Sequence, residues 1–280
     1  MKKTLLLLLS CLLFSSCSKN GEYIEKYDNG KIKSISIYAD DKLVSQTKFH
    51  ENGNKMVEGN LKNGEWDGLI IEWNETGQKE KEFQWVNGVS GVGKKWKYYD
   101  NGLMEWEKTY QDTTDNHYKV SWWENGNKKF EGNYINQLLN GPSTFWFENG
   151  NKELEGTYKD AKMDGQFFEW YENGNKRLDG NYKNDKRSGL LTVWNEKGQK
   201  VTEFQFVNDV RGAGKKWEYH RNGKPSKKWI YYDTTGTFVY EMWYETGNLG
   251  DFYLVKNEQI IRTWDFKKYP YKLEKYDYKQ

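Results

Sequence analysis

Cysteine is nearly missing from this 280-residue chain: both copies, Cys11 and Cys17, stand near its start. A disulfide framework or a thiolate metal site is thereby excluded from the rest. Histidine is almost as scarce, and no two of His50, His117 and His220 have ligand spacing, so no metal is expected and all three read as surface strand residues. Net charge of one sign is absent too. With 43 Lys+Arg against 41 Asp+Glu, the balance lends no support to nucleic-acid binding. Only 3 prolines accompany 27 glycines, which suits strands joined by tight turns. Aromatics are the exception to this poverty. The chain is very polar, with a mean hydropathy of −1.06, yet 14 Trp and 21 Tyr are present. A polar chain poor in aromatics would read as disordered, whereas so many rings must pack somewhere.

One apolar run exists, from Leu5 to Phe14, preceded by Lys2 and Lys3. It is much shorter than the roughly 20 residues of a membrane-spanning helix and reads as a signal peptide over residues 1–16. Phe14-Ser15-Ser16-Cys17 resembles a bacterial lipobox, which makes Cys17 the expected lipidation site and residues 17–22 a lipidated N-terminus and linker. Several fatty chains would hold the protein at a membrane, since one alone binds marginally. The expected location is the bacterial cell envelope.

The rest is metrical. An Asn-Gly turn or its equivalent recurs with its glycine at 30, 53, 77, 102, 126, 150, 174, 198, 223 and 247, always 23 to 25 residues apart. A fixed period in this range means one supersecondary unit copied in tandem, each unit covering its neighbour's apolar face. With the turn glycine as position zero, an aromatic stands at −4 in nearly every unit (Trp122, Trp146, Trp170, Trp194) and another large residue at +8 (Tyr134, Tyr158, Tyr182, Phe206). Alternation in a strand puts even offsets on one face, so both columns are expected in the core, with even paired to even around a three-residue Asn-Gly-Asn loop. Glutamates at −2 would then oppose lysines at +2. Glycines at +6 (Gly132, Gly156, Gly180) would accommodate a large residue at −6, and glycines at −9 (Gly141, Gly165, Gly189) would mark the return turn between units.

The odd offsets are mostly charged or polar and read as the solvated face. One odd column does not conform. Three residues before the glycine stand Tyr99, Trp123, Phe147 and Tyr171, an aromatic row expected to form a contact surface. No catalytic constellation competes with it. Gly88 to Lys94 has the spacing of a phosphate loop, but Lys95 follows where Ser or Thr belongs, and a return turn accounts for its glycines. Each carboxylate falls in a recurring column, which argues against a catalytic pair.

A longer echo overlies the metre. Glu82-Phe83-Gln84 returns as Glu203-Phe204-Gln205, and Asp112-Thr113-Thr114 as Asp233-Thr234-Thr235, a shift of 121 residues. Five units were copied as a block. Two units would build one propeller blade, so five units leave a half blade; an open array is preferred to a β-propeller.

The Trp-Tyr-Glu-Asn-Gly-Asn-Lys pattern of residues 170–176, with the Gly-Asn-Tyr-Lys-Asn of residues 180–184, resembles the variant class of MORN repeats. That resemblance implies rows of β-hairpins acting as scaffolds or binding modules rather than enzymes, with some bacterial relatives antitoxin-like. The expected protein is all-β, an elongated open antiparallel meander of about ten hairpins over residues 23–258, with a capping strand and tail over 259–280. It needs no cofactor. It would bind a protein partner, with a cognate toxin or a cell-wall carbohydrate as alternatives.

Overall fold

The computed structural model describes residues 19–232, 234–256 and 259–265. The expected signal peptide, Cys17 and the tail beyond Asp265 lie outside them. No helix occurs among the described residues, and 22 strands follow one another, all paired antiparallel.

The chain divides into two compact units, Met1–Lys95 and Trp96–Gln280. In the first are β1 (Gly21–Lys26), β2 (Ile32–Ala39), β3 (Lys42–Phe49), β4 (Lys55–Lys62), β5 (Glu65–Trp73), β6 (Lys79–Val86) and most of β7 (Val89–Tyr98). Each strand pairs with the next along the chain, and β1 has β2 as its one neighbour. The phosphate-loop lookalike is a turn at Asn87-Gly88 followed by β7; the return turn takes only Gly88, while Gly91 and Gly93 lie in the strand.

In the second unit, residues 96–98 of β7 lead into β8 (Met104–Tyr110), β9 (His117–Trp122), β10 (Lys128–Ile135), β11 (Leu138–Trp146) and β12 (Lys152–Lys159). Then come β13 (Lys162–Trp170), β14 (Lys176–Lys183), β15 (Lys186–Arg187), β16 (Gly189–Trp194), β17 (Lys200–Val207) and β18 (Val210–Tyr219). The last described are β19 (Pro225–Tyr231), β20 (Phe238–Trp243), β21 (Leu249–Lys256) and β22 (Gln259–Asp265). Pairing again runs along the chain, except that the short β15 pairs with β14 alone and β14 goes on to pair with β16; among the described residues β22 pairs with β21 alone, so each unit is an open meander without blades.

All ten turns have one geometry. At Gly174 the glycine N–H donates to the Tyr171 carbonyl at 2.8 Å and the Tyr171 N–H to the Asn175 carbonyl at 2.8 Å; both bonds recur in every unit. The turn glycines hold φ between 77° and 95°. This is a type I turn closed by a left-handed glycine, the three-residue hairpin loop. The loop is therefore Glu-Asn-Gly rather than the expected Asn-Gly-Asn, and glutamate −2 sits inside it.

Lysine +2 instead faces the aromatic at −4, as Lys176 faces Trp170 and Lys152 faces Trp146. Immediately beyond, the register slips: Glu169 pairs with Leu178, leaving Arg177 as a bulged extra residue. A bulge inverts the parity of everything after it. The columns at −4 and +8, expected together, consequently lie on opposite faces. Glycine +6 faces the residue at −7 rather than −6: Gly180 opposes Phe167.

The bulge also explains the ion pairs. Residues three apart in a regular strand point to opposite faces, but an intervening extra residue brings +2 and +5 together. Lys79 thus reaches Glu82 at 2.6 Å, Lys128 reaches Glu131 at 2.9 Å and Lys200 reaches Glu203 at 2.6 Å. Such exposed pairs contribute about 0–1 kcal/mol each.

Between hairpins, two adjacent residues adopt positive φ, as at Asn184-Asp185 (48° and 65°) and Asp160-Ala161 (50° and 62°). These are two-residue type I′ turns, in which Asn and Asp tolerate the left-handed region. Glycine −9 is consequently not the return turn. Gly165, at φ 130°, lies in β13 opposite Tyr182, in a backbone conformation that residues with a side chain rarely adopt.

The core is a file of rings. Phe167, 0% exposed, meets Tyr158 and Tyr182 edge-on at 5.2 and 5.4 Å. Edge-to-face geometry places the positive ring edge on the negative face. Further along, Leu191, Phe204 and Phe206 bury together, with Leu178, Tyr182, Val193 and Tyr231 against them.

Candidate functional site

Tyr99, Trp123, Phe147 and Tyr171 of the column at −3 are half-buried rather than an exposed row on a solvated face. Most of its members tie one hairpin to the next. The Tyr99 hydroxyl donates to the Trp122 carbonyl at 2.7 Å, Trp123 Nε1 to the Trp146 carbonyl at 3.1 Å, and the Tyr171 hydroxyl to the Trp194 carbonyl at 2.7 Å. His50 and His220 do the same through Nε2, at 2.9 and 2.8 Å from the carbonyls of Trp73 and Trp243. A carbonyl only accepts, so in both rings Nε2 carries the proton. Two of the three histidines are therefore staples, a role that the reading as surface strand residues did not contain.

Asparagine does the same one step nearer the turn tip. Asn173 Oδ1 accepts from the Asn175 N–H at 2.9 Å, while the Nδ2 groups of Asn173 and Asn175 donate to the Glu196 carbonyl at 2.9 and 2.7 Å. Equivalent bonds run from Asn125 and Asn127 to Glu148, and from Asn149 and Asn151 to Glu172. These turns are thus laced to the next through backbone acceptors that the strands leave unpaired.

Phe147 breaks the series because it has no donor. Beside it and Tyr171 opens a concavity of about 400 Å³ whose walls include Leu154, Trp170, Arg177 and the carboxylates of Glu153, Glu169, Glu172 and Glu196. Four glutamates against one arginine give it a formal charge of −3. Arg177 is ion-paired to Glu169. The bulged position +3 puts Arg177 and Glu153 at this wall, which a straight strand would have turned elsewhere. Of the four aromatics singled out by sequence, Phe147 and Tyr171 share this concavity; Tyr99 and Trp123 are not among its walls.

A second concavity, of about 420 Å³, contains His117, Tyr118, Asn133 and Tyr134 together with Asp112 and Asn116 from the loop between β8 and β9. His117 is not a surface residue. It is 7% exposed, lies 2.9 Å through Nδ1 from the Asp115 carbonyl, and has its pKa lowered from 6.5, first by burial. Burial, with the neighbouring Glu131, pushes the Tyr118 hydroxyl up to about 12, so it remains protonated. The signal that could have revealed this place is the −9 position itself, glycine at Gly141, Gly165 and Gly189 but histidine here.

Four segments match the MORN repeat variant: residues 19–40, 120–136, 139–160 and 163–184. The last two of these MORN-variant segments cover the hairpins β11–β12 and β13–β14 except for their first residues, Leu138 and Lys162. MORN repeats generally serve as protein- or membrane-binding repeat modules. No curated protein matches the chain. Among solved structures, the crystal structure of TcdB2-TccC3-TEV is similar at 12% identity over 81% of this chain and 15% of that one, with a TM-score of 0.23. The Photorhabdus luminescens Tc holotoxin pore with the TccC3-D651A mutation is similar at 11% identity, over 81% of this chain and 14% of that one, with a TM-score of 0.23. The chain thus spans about 15% of the length of these structures.

Proposed function

We propose that the chain is a lipid-anchored cell-envelope module that binds a protein partner through the face around Phe147 and Tyr171, rather than an enzyme. The observation that carries the reading is the break at Phe147. Where neighbouring units stiffen the array with a polar staple, this one presents a ring with no donor, beside an acidic concavity. A basic side chain suits such a place, its charge meeting carboxylates and its stem the rings. The anchor is supported by the apolar run Leu5 to Phe14 and by Cys17. Tandem hairpins support binding, because a repeated unit offers a long surface.

The test immobilises the chain from Ser18 onward and passes envelope extract over it. Phe147→Ser and Glu172→Lys are run in parallel. Wild-type chain is expected to retain a protein that both variants release while each still unfolds cooperatively in urea. Equal retention by all three would overturn the reading.

A further inference from the structure

The 121-residue duplication supplies an internal comparison for the concavity at His117. In most hairpins a glycine faces the +8 ring: Gly141 opposes Tyr158 and Gly189 opposes Phe206. His117 takes that place opposite Tyr134 and stacks on it at 5.0 Å with the planes 9° apart. In the second copy the equivalent residue is Phe238. It meets Tyr231 at 5.2 Å and 41°, much as His117 meets Tyr110 at 5.1 Å and 37°. An aromatic ring is all that the packing asks for. The imidazole nitrogens are additional to it, and so are the amides around them: where the first copy has Gln111, Asn133 and Asn140, the second has Tyr232, Leu254 and Ile261.

The polar groups of the first copy are arranged to receive hydrogen bonds and to give them. Because Nδ1 of His117 lies against the Asp115 carbonyl, which only accepts, the proton sits on Nδ1 and Nε2 is the acceptor of the neutral ring. Asn116 commits its Oδ1 to the Asn136 N–H at 3.0 Å, leaving its NH₂ as donor. Asn140 gives its Nδ2 to Asp160 at 3.3 Å, leaving its oxygen as acceptor. Asp112 is the one charged side chain among the lining residues. Phosphate would find a carboxylate and no cation there, and an apolar ligand would strand the amides. A hydroxyl both donates and accepts, so several hydroxyls on one small ring satisfy this lining. About 420 Å³ is within the range of small-molecule sites.

We propose that this concavity binds a neutral polyhydroxylated ligand, a mono- or disaccharide, whose hydroxyls bond His117, Asn133, Asn140 and Asp112 while its C–H faces meet Tyr134 and Ile135. The site is independent of the protein-partner face at Phe147.

The experiment titrates the full chain in detergent with glucose, galactose, mannose, N-acetylglucosamine and their disaccharides. Binding is read as heat and as the ¹⁵N shift of the His117 ring. At least one sugar is expected to move the Nε2 resonance saturably, and His117→Phe and Asn133→Leu are each expected to weaken its binding at least about tenfold. His117→Phe keeps a ring there, as Phe238 does in the second copy, and is expected to remain folded with a urea midpoint lowered only by the lost bond to the Asp115 carbonyl. A ring resonance that no sugar in the panel moves would overturn the proposal without recourse to any variant. So would equal affinity in wild type and both variants.

Discussion

Trp123 Nε1 donates to the carbonyl of Trp146 at 3.1 Å, so that one side chain spans two hairpins. An exchange of water for protein partners nets about 0.5–1.5 kcal/mol per bond. Trp123→Phe keeps a ring and loses the donor; it is expected to lower stability by about 1 kcal/mol. Phe147→Tyr is the converse and should raise stability by a similar amount, because the hydroxyl would reach the Trp170 carbonyl as that of Tyr171 reaches Trp194. Urea midpoints of the two variants check both signs, and a shift in the same direction for both would refute the staple.

Glycine +6 is required by its neighbour. A Cβ on Gly156 would stand 2.4 Å from the ring of Phe167, which is fully buried. Gly156→Ala is expected to cost about 1–3 kcal/mol through overpacking. Adding Phe167→Val should recover part of that loss, so the double variant would be less destabilised than the two single costs summed. Additive costs in a double-mutant cycle would show that the two do not touch.

Acid should weaken the second unit through His117. Burial lowers its folded pKa below 6.5; Lys108 and Lys119 lower it further, while Asp115 opposes them and the flanking rings of Tyr110 and Tyr134 carry no charge at neutral pH. The unfolded chain therefore takes up this proton near pH 6.5, before the folded chain does. The stability owed to the neutral ring is complete above pH 6.5 and is lost as pH falls through the folded value. His117→Phe should flatten the dependence between pH 7 and 5, as followed by thermal melts. An identical slope in wild type and variant would contradict this account.

Cys17→Ser should release the protein from the membrane. Fractionation of cells expressing each form is expected to find wild type in the membrane pellet and the variant in the soluble fraction. Retention of the variant in the pellet would mean that something other than a lipid on Cys17 holds it there.

How much of this was legible in advance follows from particular residues. The ten turn glycines announce the ten hairpins, one at each of the ten turns. What could not be read from composition was parity. The extra residue at +3, such as Arg177, has no distinctive type, yet it moves the −4 column to the opposite face from +8. A trace of it is present in the sequence: lysine at +2 and an acid at +5 recur together, a spacing that a straight strand would waste. The staples were hidden for another reason. Their acceptors are backbone carbonyls of a different unit, and a carbonyl leaves no mark on residue identity.

The sequence by itself determined the period, the all-β class and the places of the ten glycine turns, though not of the return turns between hairpins, because a left-handed glycine and a fixed repeat length are local requirements. Tertiary structure alone decided which face each column occupies, which rings are staples and which concavities open between them. Those outcomes depend on register, and register is settled by hydrogen bonds between strands that no single strand specifies.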